Sequence, residues 1–303
     1  MEFSPELSVN QPVLINSKFK VELVMKREDL IHPVISGNKF RKLKYNLEEA
    51  KKQNLNTILT FGGAYSNHIA AVATAGKIYG LKTIGVIRGE ELKDKIMSNP
   101  TLRFAHQSGM QFEFVSREMY RKKNSREVLA TLISNFGEVY VIPEGGTNSL
   151  AVKGCEDILT DKDKHFDYIC CPVGTGGTIS GVLNCSKPSQ QVLGFPALKG
   201  SFLQEDISKF ASKENWKLIS DYHFGGYAKI NTNLISFINQ FKKEQNIPLD
   251  PIYTGKMMYG IFDLIENGYF PAGAKILAIH TGGLQGIEGM NLKLKEKGWP
   301  LLD

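Results

Sequence analysis

The sequence predicts an α/β fold built on doubly wound, mostly parallel sheet, and three observations carry that expectation. Short β-branched runs alternate with amphipathic helical stretches through most of the 303 residues. The runs are almost continuously apolar, as strands covered on both faces should be. Glycine-rich turns follow several of them, at the strand ends where open α/β sheets bind ligands.

Taken in order, the strands are expected at 57–61 (TILTF), 83–87 (TIGVI), 111–115 (QFEFV), 139–142 (VYVI), 168–173 (YICCPV), 191–195 (QVLGF), 217–220 (KLIS) and 275–280 (KILAIH). Helices are expected between them at 39–53, 66–79, 100–108, 125–136, 149–159, 201–212, 233–245 and 256–266. Several of these open with Ser, Asn or Pro and several are followed by Gly, which is cap chemistry. A chain of this length tends to divide around a cleft. No repeat or low-complexity linker marks where.

Composition narrows the function classes. Hydrophobic residues make up 42% and charged residues 22%, and no apolar run reaches the roughly 18 residues that a bilayer span requires. The opening MEFSPELSVNQPV has no basic segment followed by an apolar run, so a cytoplasmic location is expected. Cys155, Cys170, Cys171 and Cys185 form no C-x-x-C pair and no ligand-like spacing with histidines, so neither a metal site nor a disulfide framework is expected. The net charge of +6 comes from scattered lysines, not a dense block with interleaved aromatics. Nucleic acid is therefore not the expected partner, and a field favouring small anions is.

Four strand ends run into unusual loops: GGAYSNH (62–68), PEGGTN (143–148), GTGGTISG (174–181) and TGGLQG (281–286). Singly, each reads as a tight turn; together they suggest backbone N–H groups gathered around an anion such as a phosphate. The strongest is Gly174, Thr175, Gly176, Gly177 and Thr178, with two hydroxyls beside its glycines. It lacks the lysine of a Walker loop and breaks the G-x-G-x-x-G spacing at Ile179, so a dinucleotide reading is weak. A fifth segment, SGNKFRKLKYNL (36–47), opens a helix with Lys39 in its first turn. On sequence alone Lys39 reads like Lys42, Lys44, Lys51 and Lys52, as part of a solvated helix face.

These motifs recur as an ordered set: KREDL (26–30), GNKFRKL (37–43), GG-x-x-SNH (62–68), the 174–178 loop, DPIYTGKMMYGIFDLI (250–265) and HTGG (280–283). In that order, and over nearly the whole chain, the set resembles the family of 1-aminocyclopropane-1-carboxylate deaminases and D-cysteine desulfhydrases. The resemblance implies a two-lobed enzyme of the tryptophan synthase β-like class, fold type II, that uses pyridoxal 5'-phosphate. It implies a large cofactor lobe from 1–46 and 151–303, a small lobe from 47–150, and a homodimer. By residue, Lys39 would hold the cofactor covalently and, once released, act as the base at the substrate α-carbon. The 174–178 loop would hold the phosphate, Asn67 the phenolic oxygen and Thr281 the pyridine nitrogen. Ser66, Asn67 and His68 would hold the substrate carboxylate, and Ser66, Tyr227 and Tyr253 would join Lys39 in the catalytic set. Without the resemblance, Ser66 reads as a helix cap and the tyrosines as core packing.

Several departures from the family pattern bear on substrate. Thr254 follows Tyr253 where the cyclopropane deaminases carry Glu and the D-cysteine desulfhydrases Thr, which favours β-elimination. Ala64–Tyr65 stands where relatives have Ile-Gln, the 69–71 run is less polar than theirs, the middle of the chain is shorter, and Tyr65 is expected to reshape the carboxylate site. The implied activity is a lyase or deaminase acting on a small amino acid. D-cysteine giving pyruvate, sulfide and ammonia comes first, and 1-aminocyclopropane-1-carboxylate giving 2-oxobutanoate and ammonia second. Two other classes stay open: a cofactor-binding protein without activity, and a nucleotide-binding regulator resting on the glycine loops alone.

Overall fold

Two parallel sheets account for the alternating pattern, and the computed structural model describes them over residues 4–200 and 202–303. The strands are β1 (Asn10–Pro12), β2 (Glu22–Lys26), β3 (Thr57–Gly62), β4 (Lys82–Arg88), β5 (Gln111–Val115), β6 (Tyr140–Ile142), β7 (Tyr168–Val173), β8 (Gln191–Pro196), β9 (Trp216–Leu218) and β10 (Lys275–Ile279). One sheet has the order β1-β2-β10-β7-β8-β9 and the other β5-β4-β3-β6. Every pairing is parallel except β1 with β2. The four-stranded sheet is thus made entirely from residues between β2 and β7.

The helices are α1 (Asn38–Lys52), α2 (Asn67–Tyr79), α3 (Pro100–Gln107), α4 (Arg117–Arg121), α5 (Arg126–Phe136), α6 (Ser149–Glu156), α7 (Gly177–Cys185), α8 (Phe202–Ser208), α9 (Thr232–Gln245), α10 (Thr254–Glu266) and α11 (Gly286–Glu296). Ser66 caps α2 as the sequence suggested, its side chain accepting from Ile69 N–H, and Asn99 and Asn231, just outside the expected helices, cap α3 and α9 by accepting from Leu102 N–H and Leu234 N–H. All eight expected strands are present to within two residues. The helix expected over 201–212 stops at Ser208, and its first residue lies outside the described residues, as do residues 1–3 of the opening segment. Among the described residues no helix is long and apolar enough to cross a membrane.

Each sheet buries both faces, and the two-residue alternation sorts its side chains cleanly. Leu23, Met25, Ile276, Ala278, Cys170 and Leu193 face one core, while Val24, Leu277, Ile279, Ile169, Cys171 and Val192 face the other. The second sheet divides likewise, with Ile58 and Ile87 on one side and Leu59, Phe61, Ile84 and Val86 on the other.

β1, β2, α4 and α11 were not legible in the sequence, and β2 shows why. Its strand ends in the charged KREDL run, which suggests solvent. Those charges are instead buried and paired within the scaffold. Lys26 Nζ lies 2.8 Å from Asp163, Arg27 Nη2 lies 2.7 Å from Asp29, and Arg41 on α1 meets both oxygens of the fully buried Glu28 at 2.8 and 2.9 Å. The Glu28–Arg41 pair fastens α1, and with it Lys39, to the end of β2.

Candidate active site

Lys39 reaches the carboxyl end of the large sheet because two distant backbone segments lie against each other. Gly37 has φ of 59°, and a Cβ there would stand 2.1 Å from the Thr281 carbonyl oxygen, so no other residue fits. Asn38 N–H donates to that same carbonyl at 3.3 Å, and its side chain donates to Thr178 Oγ1 at 2.9 Å and accepts from Lys39 Nζ at 3.0 Å. Asn38 therefore ties together the GNK turn, the HTGG turn and the glycine loop. Its place beside the lysine was the only sequence signal for it.

One cavity collects the ends of these elements. Asn38, Lys39, Lys42, Asn67, Gly145, Gly174, Thr175, Gly176, Thr178, Tyr253 and Thr281 are among the residues that line it. Of the residues expected in a site, Lys39, Asn67, Gly174, Thr175, Gly176, Thr178, Tyr253 and Thr281 are brought together here. Gly177 lies just behind the wall as the first residue of α7, and a Cβ on it would stand 2.9 Å from Thr147.

Ser66, His68 and Tyr227 do not line the cavity. Ser66 Oγ caps α2, accepting from Ile69 N–H at 3.3 Å. The His68 ring is buried behind the wall. Thr60 spends its one hydroxyl proton on the Ile142 carbonyl at 2.8 Å, so His68 Nε2–H is the donor in the 2.8 Å bond to Thr60 Oγ1. Its Nδ1 then carries a lone pair with no partner among the described residues. Burial first, then the Lys39 and Lys42 charges, keeps this imidazole neutral by holding its pKa well below 6.5. Tyr227 is 44% exposed, with its ring 6.3 Å from that of Tyr253.

Lys42 corrects the sequence reading. It was expected on a solvated helix face with Lys44, Lys51 and Lys52, yet it is 2% exposed and points into the site. Its Nζ lies 2.9 Å from the Gly145 carbonyl, 3.0 Å from Thr147 Oγ1 and 3.5 Å from Thr175 Oγ1. Three residues after Lys39 on the same helix, it shares that residue's face, and this i to i+3 spacing was the signal available. Lys44 is half-buried against Asp157, while Lys51 and Lys52 are exposed.

Two of the departures from the family pattern, at Tyr65 and Thr254, turn away from the cavity. Tyr65 packs on Gly289, where a Cβ would stand 2.6 Å from its ring, and Lys293 Nζ lies 4.4 Å from the ring centroid. Thr254 is fully buried; its hydroxyl donates to Asp250 Oδ1 at 2.7 Å and accepts from Asp250 N–H at 3.0 Å. Neither side chain reshapes the pocket directly, contrary to the expectation for Tyr65.

Electrostatically the site is basic but only partly charged. Burial above all, with the Lys42 ammonium second, lowers the Lys39 amine from 10.5 to about 7. Burial also lowers Lys42. Burial first, then Tyr227 and Asp250, pushes the Tyr253 phenol well above 10, so it stays a protonated donor at neutral pH. Among the described residues no carboxylate lines the cavity.

This donor set fits pyridoxal phosphate. A buried ammonium, two threonine hydroxyls and the N-terminus of the nine-residue α7 converge around glycines, which suits a phosphate dianion. A second lysine with a low pKa faces the same cavity, which suits capture of an aldehyde.

Comparison with known proteins agrees. The chain matches the pyridoxal-phosphate dependent enzyme family over residues 10–282. It is 34% identical to a Pyrococcus horikoshii protein provisionally named a 1-aminocyclopropane-1-carboxylate deaminase, over 90% of this chain and 87% of that one. An Arabidopsis thaliana mitochondrial protein named as a bifunctional D-cysteine desulfhydrase/1-aminocyclopropane-1-carboxylate deaminase is 31% identical, over 92% of this chain and 75% of that one. A crystal structure of an ACC deaminase homologue superposes with a TM-score of 0.81 at 28% identity, covering 98% of this chain and 94% of that one.

Proposed function

Because the chain belongs to the pyridoxal-phosphate dependent enzyme family, we propose that it is a lyase converting a small amino acid to a 2-oxo acid and ammonia, with D-cysteine as the leading substrate. With water, D-cysteine then gives pyruvate, sulfide and ammonia. When bound, the cofactor supplies an electron-withdrawing pyridine ring that takes up charge from the substrate α-carbon.

The observation that carries this reading is the pairing of Lys39, with its amine at about 7, and the Gly174–Thr178 loop in one cavity that no carboxylate lines among the described residues. At neutral pH about half of such amines are unprotonated, so Lys39 can take a proton from the α-carbon and return it. Lys42, Thr175, Thr178 and the N–H groups of Gly174, Gly176 and Gly177 hold the phosphate, Thr281 the ring nitrogen and Asn67 the phenolic oxygen. Ser66 and Asn67 hold the substrate carboxylate through side chains and the N-terminus of α2. His68 supports that turn from behind, through its Thr60 bond. Tyr253, with Tyr227 beside it, donates or accepts the proton at the leaving group.

The runner-up is opening of 1-aminocyclopropane-1-carboxylate to 2-oxobutanoate and ammonia, which the names of both relatives favour. The reading also takes residues 47–150 as the small lobe and 1–46 with 151–303 as the large one, in a cytoplasmic homodimer that light scattering on the eluted protein would test. One experiment decides the main point: purify the protein, record its visible absorbance, and assay sulfide and keto acid with D-cysteine, L-cysteine and the cyclopropane amino acid. Sulfide from D-cysteine supports the proposal. A yellow protein inert to all three, or a colourless one, overturns it.

A further inference from the structure

Helix α10 does two jobs at once. Its N-terminus is set by Asp250, whose carboxylate accepts from the N–H groups of Ile252, Tyr253 and Thr254 at 2.8–2.9 Å and so fixes Tyr253 at the cavity. One face further along, at Lys256, Gly260 and Asp263, is spaced four and three residues apart and therefore points one way. That face grips a single segment of chain. Lys256 Nζ donates to the carbonyls of His223 and Gly226, each at 2.8 Å. A Cβ on Gly260 would stand 2.6 Å from the Tyr222 ring, whose hydroxyl donates to Asp263 Oδ2 at 2.6 Å.

The gripped segment does not hold its own shape cheaply. Phe224, Gly225, Gly226 and Ala228 have φ of 53°, 92°, 117° and 54°, so two residues with side chains sit in the left-handed region within five positions. Tyr227 stands inside this run, between Gly226 and Ala228. Lys256 itself is 2% exposed, and among the described residues no carboxylate lies within 4 Å of its ammonium. An apolar side chain would occupy such a place with less desolvation, so the charge is accounted for by the two carbonyls it binds.

We propose that Lys256 is a positioning residue for Tyr227: it holds the 223–228 loop in its left-handed course, and thereby sets the phenol of Tyr227 against Tyr253. The same helix then fixes both tyrosines, one at its N-cap and one through its flank. This rests on the reading of Tyr227 as a participant in the reaction, and the test separates the two ideas.

The test is a double-mutant cycle in kcat/KM for D-cysteine with Tyr227→Phe and Lys256→Met, together with hydrogen exchange of the 220–230 peptide in the holoenzyme. Lys256→Met should speed exchange of that peptide at least tenfold, leave peptides of β7 and α7 unchanged, and lower kcat/KM about as much as Tyr227→Phe does. In the double variant the losses should not multiply, because the second change removes a contact already lost. Multiplying losses, or unchanged exchange in 220–230, would overturn the proposal. If Tyr227→Phe alone leaves turnover intact, the role given to Tyr227 fails, while the exchange result still judges the brace. Should Lys256→Met not fold, Tyr222→Phe, which removes only the Asp263 bond, carries the same cycle with a smaller loss of about threefold expected.

Discussion

Replacing Lys39 with Met in the cofactor-free protein should stabilise it at pH 6, and the advantage should shrink as pH rises. The folded amine titrates at about 7 and the unfolded one at 10.5. Between those values the unfolded chain keeps a proton that the folded chain has released, so wild-type stability climbs with pH across that window. Below pH 7 the whole penalty of the buried ammonium is present; above 10.5 it has gone. At about 1.4 kcal/mol per pH unit, the full penalty is roughly 5 kcal/mol as an upper figure, of which about 2 kcal/mol is relieved by pH 8.5. Packing lost with the lysine stem does not depend on pH and cancels from that slope. Urea unfolding of both proteins at pH 6 and pH 8.5, followed by circular dichroism, gives the difference directly. An advantage of the variant that is about 2 kcal/mol smaller at the higher pH is expected. An advantage flat to within about 0.5 kcal/mol would mean that Lys39 titrates near its ordinary value, and the case for a neutral amine poised at pH 7 would fall.

Three further outcomes follow from the same geometry. Lys42→Met should weaken binding of pyridoxal phosphate roughly tenfold to a hundredfold, the equivalent of about 1.5–3 kcal/mol for a charged hydrogen bond, and leave binding of pyridoxal without the phosphate within about twofold. Fluorescence or absorbance titration of the apoprotein reads both. Glu28→Gln strands the buried Arg41 guanidinium, and thermal or urea unfolding should register a loss of about 3–5 kcal/mol. Thr254→Glu should not create ring-opening activity, because the side chain faces Asp250 and a second buried carboxylate there would cost about 2–4 kcal/mol, whereas Thr254→Ser should stay within about 1 kcal/mol of wild type. Product assays and unfolding curves of the two variants check this.

Much of the fold was legible because buried parallel strands need apolar residues on both faces, and TILTF, YICCPV and KILAIH declare that without ambiguity. The glycine loops were legible too, since close backbone approach and left-handed φ leave few alternatives to glycine. Buried charge was not legible, and Lys42 was misread outright. Lys26, Glu28, Arg41, Lys42 and Lys256 are all nearly fully buried, while the rule that charge marks solvent places them outside. Their partners, Asp163, Glu28, Gly145 and the 223–226 carbonyls, lie 13 to 137 residues away in sequence, and no local pattern announces such pairings. Thr254 and Tyr65 were noticed as departures, but the direction in which each side chain turns belongs to α10 and α11, not to the motif. Asn38 has no comparable signal, because its three contacts join segments that only the folded molecule brings together.

The contact of Gly37 with the Thr281 carbonyl has a consequence for how the protein is made. Ser36 and Gly283, which also meet there, are 247 residues apart in sequence. During synthesis β2, beside the GNK turn, has β1 as its sheet neighbour until β10, the parallel partner whose Ile276 pairs with Leu23, emerges. A nascent chain therefore exposes the Leu23–Met25 edge, with its cofactor lysine unhoused, until that strand has been made, which favours chaperone binding there or delayed collapse of the large sheet. Capture of the cofactor cannot guide early folding; it can only reward a chain in which β10 has already docked.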